Sequence, residues 1–224
     1  MTPELELHTT FVIDDRGRIR STREPRPGRG PLFAIIRSFI GTAWAVRADL
    51  PNDLADEIAR LARAEPRIED LRAPPAHAAR YVSCTGGRLG FSGPAFLFPT
   101  ELETTSDVIS VDDERLLERN FQGWHLGEIA TGGAPVMAIA EEGHPVSICF
   151  SARCSDSAAA AGVETATAFR GRGLAPRVVA AWAFAIRASG RVPLYSAAWT
   201  NAGSLAVARK LGLRRYAAFW SVSE

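Results

Sequence analysis

The chain has 224 residues, 46% of them hydrophobic and 23% charged, which is enough apolar material for one large globular domain or two small ones. Its 26 basic and 25 acidic residues leave a formal charge of +1, so it offers no broad electrostatic footprint for nucleic acid or an anionic membrane, and an anionic ligand must be captured locally. No apolar run reaches the roughly 18 to 20 residues that span a bilayer; with three cysteines (Cys84, Cys149, Cys154) outside any CxxC spacing and no secretory leader, the expected setting is cytoplasmic, with free buried thiols.

Along the chain, "TTFVIDDRGRI" predicts a hairpin that opens the protein, because Asp14, Asp15 and Gly17 interrupt a β-branched run in which Phe11 and Ile13 alternate with smaller or polar neighbours. Residues 21–31, "STREPRPGRGP", read as a loop, either lining a substrate mouth or serving as a surface connection. "LFAIIRSFIGTAWAVRADL" supplies strand material. The next segment, "PNDLADEIARLARAEP", predicts a helix with Leu54, Ile58 and Leu61 on one stripe, Asn52 or Asp53 as cap and Pro66 as stop. Residues 72–110 mix turn signals with short β-prone pieces such as Phe96 to Phe98. "SVDDERLLERNF" predicts another helix, capped by Ser110 or Asp112, with Leu116, Leu117 and Phe121 inward. A glycine-rich stretch from residue 122 precedes a hairpin, "VMAIAEEGHPVSICFSARC", turning at residues 142–145, and "AAAAGVETATAF" is a third strand. A division between halves is expected between residues 120 and 134.

That third strand leads into "TAFRGRGLAP", residues 167–176, and then into a helix marked by Leu174, Val178, Trp182 and Ile186 and ended by Gly190. A helix N-terminus leaves amides unpaired and carries the positive end of the helix dipole, so it favours phosphate. Gly171 and Gly173 let the chain bend and let an anion approach the main chain, with Arg170 or Arg172 adding charge. The stretch is neither GxxxxGK[ST] nor GxGxxG. As an RNA-binding "RGRG" it is a single copy in a chain of balanced charge.

Arg170, Gly171, Arg172, Gly173, Leu174 and Ala175 together resemble the R/Q-x-x-G-x-G/A signature of the GNAT superfamily, whose members transfer an acetyl group from acetyl-CoA to an amine. Further on, "PLYSAAWTNAGSLAVARKLGL" is similar to the family's strand, N-x-x-S/A helix and K-x-G-hydrophobic ending. The resemblance implies an α+β GNAT fold: a mixed, mostly antiparallel twisted sheet with splayed central strands flanked by helices, preceded by an α/β N-terminal region. Residues 1–122 would then be an accessory or substrate-shaping region and residues 123–224 the acetyl-CoA-binding catalytic part.

The resemblance also assigns roles. Val163, Glu164 and Thr165 occupy the strand end along which pantetheine pairs, and the diphosphate rests on the turn from Arg170 to Ala175. Asn201 and Ser204 match cofactor-contacting positions, although Asn201 is also a natural cap and Ser204 a natural helix start. Glu164 is the candidate base for the attacking amine, or else a partner in a strand salt bridge. The family's usual acid, a tyrosine, aligns with Ala208, which leaves Tyr195, Tyr216 and Ser204 as substitutes; Tyr216 also fits the last strand, "RYAAFWSV".

The acceptor implied is a small-molecule or peptide amine, with no nucleic acid or membrane partner, and the chain a monomer or homodimer. Ala208 also admits an acyl-CoA-binding module without turnover. His8, His77, His125 and His144 are scattered, so no metal is expected. Cys84 in "SCTGG" reads as an ordinary cysteine rather than a nucleophile, and Ser151 and Ser155 lack a GxSxG elbow. Trp199, beside the Asn201 turn, is a candidate border of the acceptor pocket.

Overall fold

A computed structural model describes residues 2–224. The chain begins with a helix that the sequence pattern does not announce, α1 (Pro3–Thr10), and runs directly into the predicted hairpin, β1 (Phe11–Ile13) with β2 (Ile19–Thr22). α1 buries a mixture of Pro3, Glu6, Leu7, Thr9 and Thr10, so no apolar stripe marks it. The Thr9 and Thr10 hydroxyls bond back to the carbonyls of Leu5 and Glu6.

The expected strand material forms a hairpin, β3 (Phe33–Ser38) and β4 (Gly41–Val46). α2 (Asn52–Arg63) buries Ala55, Ile58, Ala59, Leu61 and Ala62, but Pro51 holds the cap position and neither Asn52 nor Asp53 caps it. Asn52 Oδ1 instead accepts from Arg18 at 3.0 Å. Residues 72–110, where turn signals and β-prone pieces mix, hold α3 (Ala78–Thr85), β5 (Arg88–Leu97) and β6 (Ile109–Ser110).

The helix expected around residues 110–121 is a single 3-10 turn, Glu114–Leu117. Asp113, rather than Ser110 or Asp112, caps it by accepting from the Arg115 amide, and the Glu114 carboxylate leaves the helix path to take the amides of Gly127 and Ile129. These local bonds compete with helix continuation. Leu117 and Phe121 are buried as expected, whereas Leu116 is exposed.

The rest follows the predicted order: β7 (Met137–Glu141), β8 (His144–Cys154), β9 (Ala158–Thr165), a 3-10 turn (Thr167–Phe169), α4 (Leu174–Ala188), β10 (Val192–Ser196), α5 (Ala202–Lys210) and β11 (Arg214–Ser223). Leu174, Val178, Trp182 and Ile186 of α4 are all buried.

Nine strands form one sheet in the order β4-β3-β11-β5-β10-β9-β8-β7-β6. Every neighbouring pair is antiparallel except β9 with β10. β5, from the first half of the chain, lies between β10 and β11 of the second, so residues 1–122 and 123–224 share one sheet. Alternation along the strands separates two faces. Phe33, Ile35, Trp220 and Val222 pack under α2 and α3, and Phe96, Cys149 and Ala159 under α4 and α5. On the opposite face, Ala34, Ala95, Ala217 and Phe219 meet α1, while Ala138 and Ile148 meet Leu117 and Phe121. Among the described residues no helix is long and apolar enough to cross a membrane.

One irregularity places the site. β9 pairs with β10 only where Ala158, Ala159 and Ala160 face Val192, Pro193 and Leu194. Beyond that point β9 continues beside β8 as far as Thr165, while the chain after β10 stays with β5 through the amides of Ala197 and Trp199. The two central strands therefore splay, and among the described residues no strand pairs with the β10-facing edge of β9 over residues 161–165.

Candidate active site

The splay opens into a cleft of about 730 Å³. Val163, Glu164 and Thr165 line it from β9, Arg170, Gly171, Gly173, Leu174 and Ala175 from the turn, and Asn201, Gly203, Ser204, Val207 and Lys210 from α5. Asn120 and Phe121 reach it from the other face of the sheet.

The turn is built by the two positions that the sequence singles out. The amides of Phe169 and Arg170 close back onto Ala166 and Thr167, and the chain then passes through Gly171 and Gly173 with φ of 81° and 78°. This left-handed region is open to glycine with little strain. Among the described residues no protein acceptor takes the amides of Gly171, Arg172, Gly173, Leu174 or Ala175. The first turn of α4 contains no acidic residue and has no side-chain cap. Its positive end therefore remains free to hold an anion.

Side chains around the turn divide into two groups. Arg170 Nε donates to the Thr165 carbonyl at 3.0 Å, bracing the turn against β9. Arg172 does not line the cleft: its guanidinium lies over the Phe169 ring, 4.8 Å from the centroid, and 3.7 Å from the Glu141 carboxylate. Only the backbone of Arg172 remains to serve the cradle. Asn201 caps α5, its Oδ1 accepting from the Ser204 amide at 3.0 Å, while both residues line the cleft. Thr165 Oγ1 is bonded to Ser147 Oγ at 2.8 Å.

The three hydroxyls weighed as acids fare differently. Tyr195 is 1% exposed and does not line the cleft; its hydroxyl donates to the Ser204 carbonyl at 3.2 Å, and burial pushes its pKa up to about 12. Tyr216 lies on β11, its hydroxyl bonded to Glu6. Ser204 alone of the three lines the cleft. Ala208 is buried in the core beneath α5.

Glu164 pairs with Ile148 across β8 and projects on the sheet face opposite α4. It forms no ion pair among the described residues, so the strand salt bridge is not realised. Desolvation raises its carboxyl above the usual carboxylate range, Arg170 opposes this and Glu128 adds to it. A carboxylate raised in this way is suited to accepting a proton near neutrality.

Sequence reasoning missed two contributors. Lys210, the only lysine of the chain, lines the cleft from α5. Gly203, Val207 and Lys210 follow at helical steps of four and three, and that spacing is the signal that could have found it. Asn120 reaches the cleft through a nonlocal bond, its Nδ2 donating to the Pro145 carbonyl at 2.7 Å, and nothing local in the sequence marks that contact.

Residues 112–219 match the GNAT acetyltransferase family. No curated protein matches the sequence. Among solved structures, the chain is similar to a GNAT-family protein from Novosphingobium aromaticivorans, at 19% identity over 68% of this chain and 70% of that one with a TM-score of 0.49. It is similar to a GCN5-related N-acetyltransferase-like protein from Streptococcus suis, at 20% identity over 85% and 84% with a TM-score of 0.49. A Drosophila protein is similar at 11% identity over 82% and 70%, with a TM-score of 0.50. At these identities the likeness concerns the fold. Every residue lining the cleft falls inside the matched span, and residues 112–219 form a GNAT acetyltransferase domain.

Proposed function

We propose that the protein transfers the acetyl group of acetyl-CoA directly to a primary amine in the cleft between β9 and β10. One observation carries this reading: an unpaired strand edge, a row of unpaired turn amides and the start of α4 converge on a single cleft. An extended chain with peptide-like groups can pair with the edge of β9, and a diphosphate can rest on the amides after Arg170. Lys210 stands ready for a further phosphate.

In the reaction, the acceptor ammonium first loses a proton to Glu164, directly or through one water, and a positioned base of this kind contributes about 10²- to 10⁴-fold. The free amine attacks the thioester carbonyl, a C–N bond forms and the C–S bond breaks. Free N–H groups along the edge of β9 can stabilise the oxyanion that develops. Because Tyr195 is sealed in the core and residue 208 is alanine, the leaving thiolate takes its proton from solvent or from Ser204, and the nitrogen of the new amide gives up its second proton to solvent or to the Ser204 oxygen.

Calorimetric titration with acetyl-CoA, followed by measurement of thiol release with a panel of primary amines, tests the proposal. Binding with amine-dependent thiol release supports transfer. Binding without release for any amine would instead favour the acyl-CoA-binding module, and absence of binding would overturn both readings.

A further inference from the structure

A second groove, of about 640 Å³, lies on the sheet face away from α4. Its walls are the proline-rich loop of residues 24–27 and the loop carrying Gly123, His125 and Glu128; its floor is Phe150 and Ala152 of β8.

The floor is specified by the sequence. Phe150 pairs with Gly162 of β9, and a Cβ on Gly162 would lie 2.6 Å from the Phe150 ring. Glycine at that position lets the ring lie across the neighbouring strand, and Trp124 holds it edge-on at a centroid distance of 5.1 Å. The proline-rich loop is anchored too. Arg153 Nη2 donates to Glu24 Oε1 at 2.6 Å, and Thr22 donates to Glu24 Oε2 at 3.2 Å, so the Glu24 charge is already answered.

The groove lies on the sheet face to which Glu164 projects. Glu164 follows Gly162 by two residues, on the same face as the Phe150 ring, and its carboxyl feels the charge of Glu128 on the groove wall. Neither Glu128 nor Glu164 has an ion-pair partner among the described residues. Arg170 faces Glu164 from the cleft side, and Arg26 lies on the outer loop. An ammonium at the inner end would meet two carboxylates, whereas a carboxylate beside that ammonium would be repelled. Behind it, the Phe150 ring and the rings of Pro25 and Pro27 offer flat apolar contact.

We infer that this groove is the acceptor site and that it takes a small monoamine with a flat apolar body and no carboxylate next to the amine. The inference rests on the acetyl-transfer reading for what happens to the amine, and on the groove alone for which amine binds.

The test is calorimetric titration of the full chain with 2-phenylethylamine and, separately, with phenylalanine, which adds only the neighbouring carboxylate. Expected is binding of 2-phenylethylamine at least about tenfold tighter than phenylalanine. Glu128→Arg should weaken 2-phenylethylamine by at least about tenfold, and Glu128→Gln by less, with melting temperature and acetyl-CoA affinity unchanged. Equal affinity for the two ligands, no binding of 2-phenylethylamine, or indifference to both Glu128 variants would overturn the inference. A parallel acetyl-CoA titration keeps the readings separate: loss of acetyl-CoA binding sinks the transfer proposal while the amine titration still decides the groove.

Discussion

The Tyr216 hydroxyl donates a 2.7 Å hydrogen bond to Oε2 of Glu6, joining the last strand to the first helix on the sheet face opposite α4. Glu6 is 1% exposed, and burial pushes its pKa up to about 7, against the lowering effects of the Tyr216 bond and of Arg153. Burial, and then the same pairing, raise the Tyr216 phenol.

A carboxyl that holds its proton more tightly in the folded than in the unfolded chain makes stability fall as pH rises. The Glu6 contribution is complete below its ordinary value of 4.5 and is lost as pH climbs through about 7. A displacement of that size corresponds to roughly 3 kcal/mol. Urea unfolding at about pH 5 and about pH 8 should show most of that loss in the wild type, and Glu6→Gln, which keeps an acceptor for Tyr216, should flatten the profile. Equal pH slopes for the two proteins would remove Glu6 as the cause.

Gly173 occupies the cap position of α4 with φ of 78°, and a Cβ built there meets no atom within 4 Å. Gly173→Asp therefore costs the left-handed strain of about 1 to 2 kcal/mol without a clash in the protein. Its carboxylate would compete for the free amides and repel a diphosphate, weakening acetyl-CoA by about a hundredfold or more. Gly173→Ala pays the same strain without the charge and should lose much less affinity. Calorimetry on both variants, with melting curves as the fold control, checks the cradle; wild-type affinity in Gly173→Asp would refute it.

What the sequence discloses here is local. The turn at Gly171 and Gly173, the buried stripe of α4 and the Asn201 start of α5 all write their structure into neighbouring residues, so these walls of the cleft are legible while Asn120, brought in by a distant bond, is not. The insertion of β5 between β10 and β11 is set by pairing of distant segments, such as Phe219 with Gly93 and Leu194 with Leu97, and no local pattern encodes it. The lost helix after Asp113 has the same origin, since it depends on Glu114 finding amides at Gly127 and Ile129. Tyr195 was misleading for a related reason: its place beside the site in sequence says nothing about its hydroxyl turning into the core to meet Ser204.

That bond defines what Tyr195 does. Tyr195→Phe leaves the Ser204 carbonyl without this donor and should cost about 1 kcal/mol of stability. Because the phenol does not reach the cleft, kcat at saturating acetyl-CoA and amine should stay within about threefold of wild type. A fall of kcat beyond tenfold in a variant that melts normally would show that the phenol takes part in the chemistry.

Glu164 makes the opposite prediction, a loss in rate with no loss in cofactor affinity. Glu164→Gln preserves shape but cannot accept the ammonium proton, so turnover should fall by about 10²- to 10⁴-fold while acetyl-CoA binds as before. In the wild type kcat/KM should rise with pH as this carboxyl ionises, and that limb should lie above the ordinary carboxylate range because burial and Glu128 hold the proton on. The limb should vanish in Glu164→Gln. In Glu128→Gln it should survive but move to lower pH, since one of the two raising influences is gone and Arg170 still opposes the other. A profile that keeps its position in Glu128→Gln and its shape in Glu164→Gln would assign the proton to another group.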